Sequence, residues 1–136
     1  MISLNKIEFQ NLQKHKHLVM DFCDGVNVLY GSSDSGKSCI RRGIEFLCGF
    51  NATSGLRKTG TKQTFVKGWF SNGVIITRLR SASINRYILE KDGKEQVFNA
   101  IGKTAPQEIQ DAIEIDPLEI DGTKLYLNYQ PQIGLP

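Results

Sequence analysis

Gly31-Ser32-Ser33-Asp34-Ser35-Gly36-Lys37-Ser38 has the form G-x-x-x-x-G-K-[ST]. The segment before it, Val26-Asn27-Val28-Leu29-Tyr30, reads as a buried strand. The segment after it, Cys39 to Cys48, reads as a helix with Ile40, Ile44 and Leu47 on one face. Strand, glycine loop and helix in this order separate a P-loop from an ordinary Gly/Ser turn. Gly31 and Gly36 let the backbone curl so that successive N–H groups form an anion nest. The cradle expected for phosphate is the run Gly31, Ser32, Ser33, Asp34, Ser35, Gly36, Lys37, Ser38 and Cys39. The helix N-terminus adds its partial positive charge at the same point. Lys37 supplies a mobile cation for the outer phosphates, which makes it the first expected catalytic residue. The Ser38 hydroxyl suits Mg²⁺. ATP and Mg²⁺ are the cofactors that follow.

Working outward, the 136 residues suit one domain or one lobe of a larger one. Apolar content of 40% and charged content of 23% are ordinary for a globular chain. A net charge of +3 is too mild to argue for nucleic acid by itself. No run of about 18 apolar residues exists, so no membrane span is expected. Met1 to Lys6 lacks the apolar core of a signal peptide, and a cytoplasmic location is the default. Cys23, Cys39 and Cys48 have no C-x-x-C spacing and read as free thiols in a reducing compartment.

Two strands are expected upstream of the P-loop strand. Met1 to Leu12 carries the apolar pairs Ile2/Leu4 and Ile7/Phe9, with a phase slip near Asn5-Lys6 that predicts a bulge. After a polar turn over Asn11 to Lys16, His17 to Phe22 puts Leu18, Met20 and Phe22 on one face. Downstream, Gly49 is the expected stop of the P-loop helix, and Asn51 to Lys62 is a surface loop. An antiparallel meander follows: Thr64 to Phe70, an Asn72-Gly73 two-residue turn, Val74 to Arg80, a turn over Ser81 to Asn85, Arg86 to Lys91, Asp92-Gly93 and Lys94 to Phe98. Thr104-Ala105-Pro106-Gln107 has capping-box spacing and opens a helix carrying Ala105, Ile109, Ala112 and Ile113 on one stripe. Asp116-Pro117 ends it, and Leu125 to Tyr129 reads as a last short strand. The fold class is therefore α/β, mixed with α+β character.

A P-loop ATPase also needs an acidic residue at the end of an apolar strand. Ile113-Glu114-Ile115-Asp116 and Leu118-Glu119-Ile120-Asp121 come nearest, but both alternate charge with apolar residues. Asp116 and Asp121 read as solvated turn residues. The chain carries half of a nucleotide site.

Taken together, Asn11-Leu12-Gln13-Lys14-His15, the P-loop with Ile40-Arg41-Arg42, the segment Asn85-Arg86-Tyr87, the Pro106 helix and the closing Tyr129-Gln130-Pro131-Gln132 resemble the N-terminal lobe of SMC/SbcC-type ABC ATPases of DNA repair. The resemblance covers most of the chain. It implies an ABC-type head in which residues 1–136 form the N-terminal lobe, ahead of a coiled coil and a C-terminal lobe. That lobe would supply the acidic motif and the ABC signature. Two heads would sandwich two ATP molecules as a homodimer, acting on DNA, with a nuclease subunit as a further implied partner. It also implies a Q-loop glutamine for Mg²⁺ and catalysis. Gln132 fits that position better than Gln130, because an apolar Gly/Pro segment follows it. Two departures stand out. Gln13 sits where many members have an arginine near the phosphates, leaving Lys14 as the nearest cation for the cofactor, and Asp34 replaces a glycine.

Two other classes compete. One is a different P-loop enzyme, an ABC transport ATPase or a small kinase. A transport subunit places an adenine-stacking aromatic upstream of the loop, and Phe9 and Phe22 fit a strand core better. The other is a non-catalytic module that uses nucleotide as a structural ligand. Lys14, Lys16, Arg57, Lys58 and Lys62 are the basic residues available for a DNA backbone. His15 and His17 read as part of a solvated basic turn, Arg41 and Arg42 as the outer face of their helix, and Trp69 and Phe70 as core or partner interface.

Overall fold

Apolar alternation builds a six-stranded antiparallel sheet. The computed structural model describes residues 2–13, 15–31, 36–49, 58–99, 105–115 and 118–125. The strands are β1 (Leu4–Leu12), β2 (His15–Asp21), β3 (Gln63–Phe70), β4 (Ile75–Ser81), β5 (Asn85–Lys91) and β6 (Lys94–Phe98), in the order β2-β1-β3-β4-β5-β6. Helix α1 (Lys37–Cys48) lies between β2 and β3 in sequence. Helix α2 (Gln107–Ile113) and a small hairpin, β7 (Leu118–Ile120) with β8 (Thr123–Leu125), follow the sheet.

The meander forms as expected, and β1 and β2 extend it into the same sheet. The expected slip in β1 appears as a register shift between Leu4 and Lys6. At the other end of β1, Asn11 takes φ 56, so the next buried residue after Ile7 and Phe9 is Leu12 rather than Asn11. Asp92 and Gly93 both take positive φ, 52 and 73, as a two-residue type I′ turn requires. The β3–β4 connection differs from its expected form. The Phe70 N–H donates to the Val74 carbonyl and the Gly73 N–H to the Phe70 carbonyl, so the loop has the three residues Ser71-Asn72-Gly73 with only Gly73 left-handed. That is the three-residue turn whose last position demands glycine.

One face of the sheet carries Ile7, Phe9, Val66, Phe70, Ile76 and Tyr87, and these form one apolar cluster with Cys39, Ile40, Phe46 and Leu47 of α1 and Ile109 and Ile113 of α2. Each such side chain stabilises the fold by about 1.5–3 kcal/mol on burial. The helix sits very low on β1: a Cβ at Gly43 would lie 2.4 Å from Phe9 Cε1 and 2.7 Å from Leu12 Cδ2. Glycine inside a helix costs about 1 kcal/mol of propensity, and here the close approach requires it. On the opposite face, Trp69 lies between Lys6 and Lys67, whose amines are 5.1 and 5.2 Å from the ring centroid. Phe70 points the other way, into the core.

Three expectations need correction. Val26 to Tyr30 is neither a strand nor buried: Val26 is 89%, Val28 75% and Tyr30 93% exposed. A strand needs a neighbour for its N–H and C=O groups, and among the described residues no strand pairs with this one. The start of α2 also differs: its N-cap is Pro106, without a side-chain cap bond, and Gln107 Nε2 donates to Asp111 Oδ1 at 2.8 Å, while Thr104 lies outside the described residues. Finally, Arg41 and Arg42 are half-buried rather than on an outer face. Arg41 pairs with the buried Glu45 one turn along, and Arg42 reaches Gln13. Asp121 sits exposed in the β7–β8 turn at φ 51, as a solvated turn residue should.

Candidate functional site

The site starts at the N-terminus of α1. Gly36 is its N-cap residue, in the left-handed region at φ 86. Among the described residues no side chain caps the helix, and no acidic residue stands in its first turn. A helix of this length ordinarily ends on a Ser, Thr, Asp or Asn cap, because its first N–H groups lack partners within the helix. The helix dipole at this end favours an anion. The Lys37 amine donates to the Gly31 carbonyl. Ser38 is exposed beside it, and Cys39 points inward. The donors are of the kind that ATP phosphates need, and the Ser38 oxygen is of the kind that Mg²⁺ takes.

The turn between β1 and β2 is docked against this end of the helix. Cys39 Sγ donates to the Leu12 carbonyl at 3.3 Å. Arg42 Nη1 donates to Gln13 Oε1 at 3.0 Å. His15 Nε2 lies 3.2 Å from the Gly36 carbonyl oxygen. Asn11 ties the same turn to β3, through Asn11 Nδ2 to the Gln63 carbonyl and the Thr64 hydroxyl to the Asn11 carbonyl. The Lys58 N–H also bonds the Asn11 carbonyl, which brings Lys58 and Lys62 to the end of the sheet that carries Lys16.

The C-terminal end of α1 is held by a buried arginine. Gly49 ends the helix at φ 80, as expected. Arg78 Nη1 donates to the Phe46 carbonyl at 2.6 Å and to Tyr87 Oη at 3.1 Å. Tyr87 Oη lies 2.9 Å from the Leu47 carbonyl. The guanidinium stacks over Phe46 and Tyr87, 4.2 and 4.8 Å from their centroids. Among the described residues, no carboxylate pairs with this cation. The carbonyl end of the helix, which carries partial negative charge, is its electrostatic partner. Burial pulls the Arg78 guanidinium below the usual arginine range, with Tyr87 opposing the shift. Burial likewise pushes the Tyr87 phenol up, against the pull of Arg78. The nearby Cys48 thiol is pushed up to about 12 by burial.

Of the residues expected at the site, Gly31, Gly36, Lys37, Ser38 and Cys39 are brought together. Lys14, Ser32, Ser33, Asp34, Ser35, Gln130 and Gln132 lie outside the described residues, as do Arg57, Asp116 and most of the last strand expected over Leu125 to Tyr129. Sequence reasoning missed His15, which it left in a solvated turn, and the Arg78–Tyr87 clamp. The signal for Arg78 was its inward phase, shared with Val74 and Ile76. Phe9 is fully buried under α1 and is not an adenine platform. Among the described residues, no group of three His, Cys, Asp or Glu side chains is placed to hold a metal. No described helix is long and apolar enough to cross a membrane.

A family model for an AAA domain, AAA_23, matches residues 6–130. The chain is 30% identical over 96 residues to structural maintenance of chromosomes protein 6 of Dictyostelium discoideum, which covers 70% of this chain and 8% of that protein. It is 35% identical over 54 residues to the DNA replication and repair protein RecF of Prosthecochloris aestuarii, 38% of this chain and 15% of that one. Among solved structures, one from work on ATP-driven dimerization and DNA-stimulated activation of SMC ATPases matches with a TM-score of 0.67 at 22% identity, covering 95% of this chain and 86% of that one. The RecF–ATP structure matches with a TM-score of 0.59, covering 70% of this chain and 28% of that one. The chain therefore belongs to the AAA_23 family of AAA domains, and its fold is that of the N-terminal lobe of an SMC-like ABC ATPase head.

Proposed function

We propose that this chain is the ATP-binding N-terminal lobe of an SMC-like ATPase head that works on DNA ends or recombination intermediates, with ATP driving the pairing of two heads. The observation that carries the reading is the N-terminus of α1, with left-handed Gly36 as its cap residue, no acid in its first turn and the Lys37 amine on the Gly31 carbonyl. The N–H groups there bind and orient the phosphates, and Lys37 neutralises their outer charge. Bound Mg²⁺ would sit on Ser38, with Gln132 as the second protein ligand, and would offset the charge that develops on the phosphates. A C-terminal lobe completes the head. Support for it comes from Val26 to Tyr30, whose exposed apolar residues run straight into the P-loop and have the composition of a sheet strand.

Calorimetry with Mg·ATP tests the nucleotide reading. Lys37→Ala should weaken binding roughly ten- to hundredfold, the value of one charged hydrogen bond, while the folded signal is kept. Equal affinity for wild type and variant would remove the P-loop reading.

The DNA reading rests on the SMC and RecF relatives and on the shared placement of Lys16, Lys58 and Lys62. Binding to duplex DNA should be weak and indifferent to sequence. Three to five phosphate contacts give a log–log salt slope of about −3 to −5, at roughly −0.9 per contact. A fluorescence titration whose affinity ignores ionic strength would rule this interface out.

A further inference from the structure

We propose that His15 is a positioning residue for the phosphate loop: it holds the Gly36–Lys37 peptide so that the Lys37 N–H faces out of the end of α1. The inference rests on the nucleotide-binding reading above. His15 is the first residue of β2 and pairs with Leu12 across the turn, so the sheet ladder sets its backbone position. The same turn is fastened to α1 at Cys39 and Arg42, which brings the ring to the helix end from a rigid base.

The contact has a defined polarity. His15 Nε2 is 3.2 Å from the Gly36 oxygen, and a carbonyl oxygen only accepts. Nε2 must therefore carry the proton. The ring also fills the space beside the glycine, since a Cβ at Gly36 would lie 2.6 Å from Nε2. Gly36 thus needs to be glycine twice, for its φ of 86 and for the imidazole against it. The Gly36 oxygen also accepts the Cys39 and Ile40 N–H groups, at 3.1 and 3.4 Å, the second of them long. His15 supplies a donor that belongs to the sheet rather than to the helix.

A trans peptide is planar, with C=O and N–H on opposite sides. Anchoring the Gly36 oxygen therefore aims the Lys37 N–H the other way, out of the N-terminal end of α1. An N–H aimed beforehand has no plane to turn when the phosphate arrives, which is the benefit of preorganisation. His15 acts through the backbone and touches no phosphate, so its effect should not depend on how many phosphates the nucleotide carries.

Two measurements on the purified chain test this. Long-range ¹⁵N NMR of the imidazole should show a proton on Nε2, and an Nδ1–H tautomer would overturn the inference whatever the nucleotide results. Calorimetry should show His15→Leu weakening ATP and ADP alike, by about tenfold, the size of one lost hydrogen bond. His15→Gln keeps a donor at similar reach and should stay close to wild type. A merely space-filling histidine gives the reverse order, with Leu tolerated and Gln not, and that order overturns the inference. So does a loss confined to ATP, which would put His15 on the outer phosphate. If wild type fails to bind ATP, the nucleotide reading falls. If wild type binds in a Lys37-dependent way and His15→Leu matches it, only this inference falls.

Discussion

Alone, the 136-residue chain is expected to release phosphate from ATP no faster than background, and a C-terminal lobe should raise the rate by on the order of 10³-fold. The reason is geometric. Phosphoryl transfer asks the protein for positioning and charge, not covalent chemistry. In the proposed reading Gly36, Lys37 and Ser38 form the phosphate side of the site. The described residues supply no acid for the attacking water. Glu45 is buried and engaged by Arg41, one turn from the wrong end of α1. Asp121 is exposed in the β7–β8 turn. Among the described residues, no group of three His, Cys, Asp or Glu side chains is placed to hold a metal ion. The measurement is a phosphate-release assay with the chain alone, with the added lobe, and with Lys37→Ala in both settings. A robust rate from the chain alone that disappears in Lys37→Ala would overturn the split-site reading and revive a complete small P-loop enzyme.

Arg78→Ala should destabilise the fold by about 3 kcal/mol, read from the urea midpoint at unchanged slope. Three losses add. The Phe46 carbonyl loses a charged donor, Tyr87 loses a partner, and a side chain that is 3% exposed leaves a cavity against two aromatic rings. One gain opposes them, since removing the cation also removes its desolvation penalty. Its size is limited, because the carbonyl end of α1 already compensates the charge. Arg78→Lys separates these contributions. It keeps the charge but lacks the planar fork that reaches a carbonyl, a hydroxyl and the Asn85 side chain together. It should fall between wild type and Arg78→Ala. An Arg78→Ala variant as stable as wild type would mean that the cation's desolvation outweighs all its contacts.

How much of this was legible in the sequence depends on the distance between cause and effect. The hairpin at Asp92-Gly93 was legible because both residues needed for positive φ are the turn itself. The end of α1 at Gly49 was legible for the same reason. The start of α1 at Lys37 was close to legible because the glycine and the helix it opens are neighbours in sequence, while Ser32 to Ser35 of the expected cradle lie outside the described residues. Val26 to Tyr30 was misread because composition reports what a segment would bury, not whether a neighbour is present. The joining of β1 to β3 was hidden because a period of two assigns faces, not partners. Arg78 was half legible. Its inward phase was visible, but its acceptor at Phe46 lies 32 residues back on another element. His15 was illegible in the same way, since its acceptor at Gly36 is 21 residues ahead and no local pattern marks it.

The order of strands also sets an order of assembly. In β2-β1-β3-β4-β5-β6 every neighbouring pair is consecutive in sequence except β1 with β3. The consecutive pairs close through short loops, such as the type I′ turn at Asp92-Gly93. Joining β3 to β1 instead encloses the whole stretch between β2 and β3, which contains the glycine loop and α1. Loop entropy grows as the logarithm of length, so this closure costs about 2 kcal/mol more than a hairpin of a few residues. The meander can therefore zip from its turns before that closure is made. The phosphate loop is the passenger of the single long-range closure in the sheet. Helix α1, which follows it, is met at both ends, by the β1–β2 turn at Gly36 and by the Arg78 clamp at Phe46. The part of the chain with the most chemistry is thus the part that the rest of the topology leaves until last.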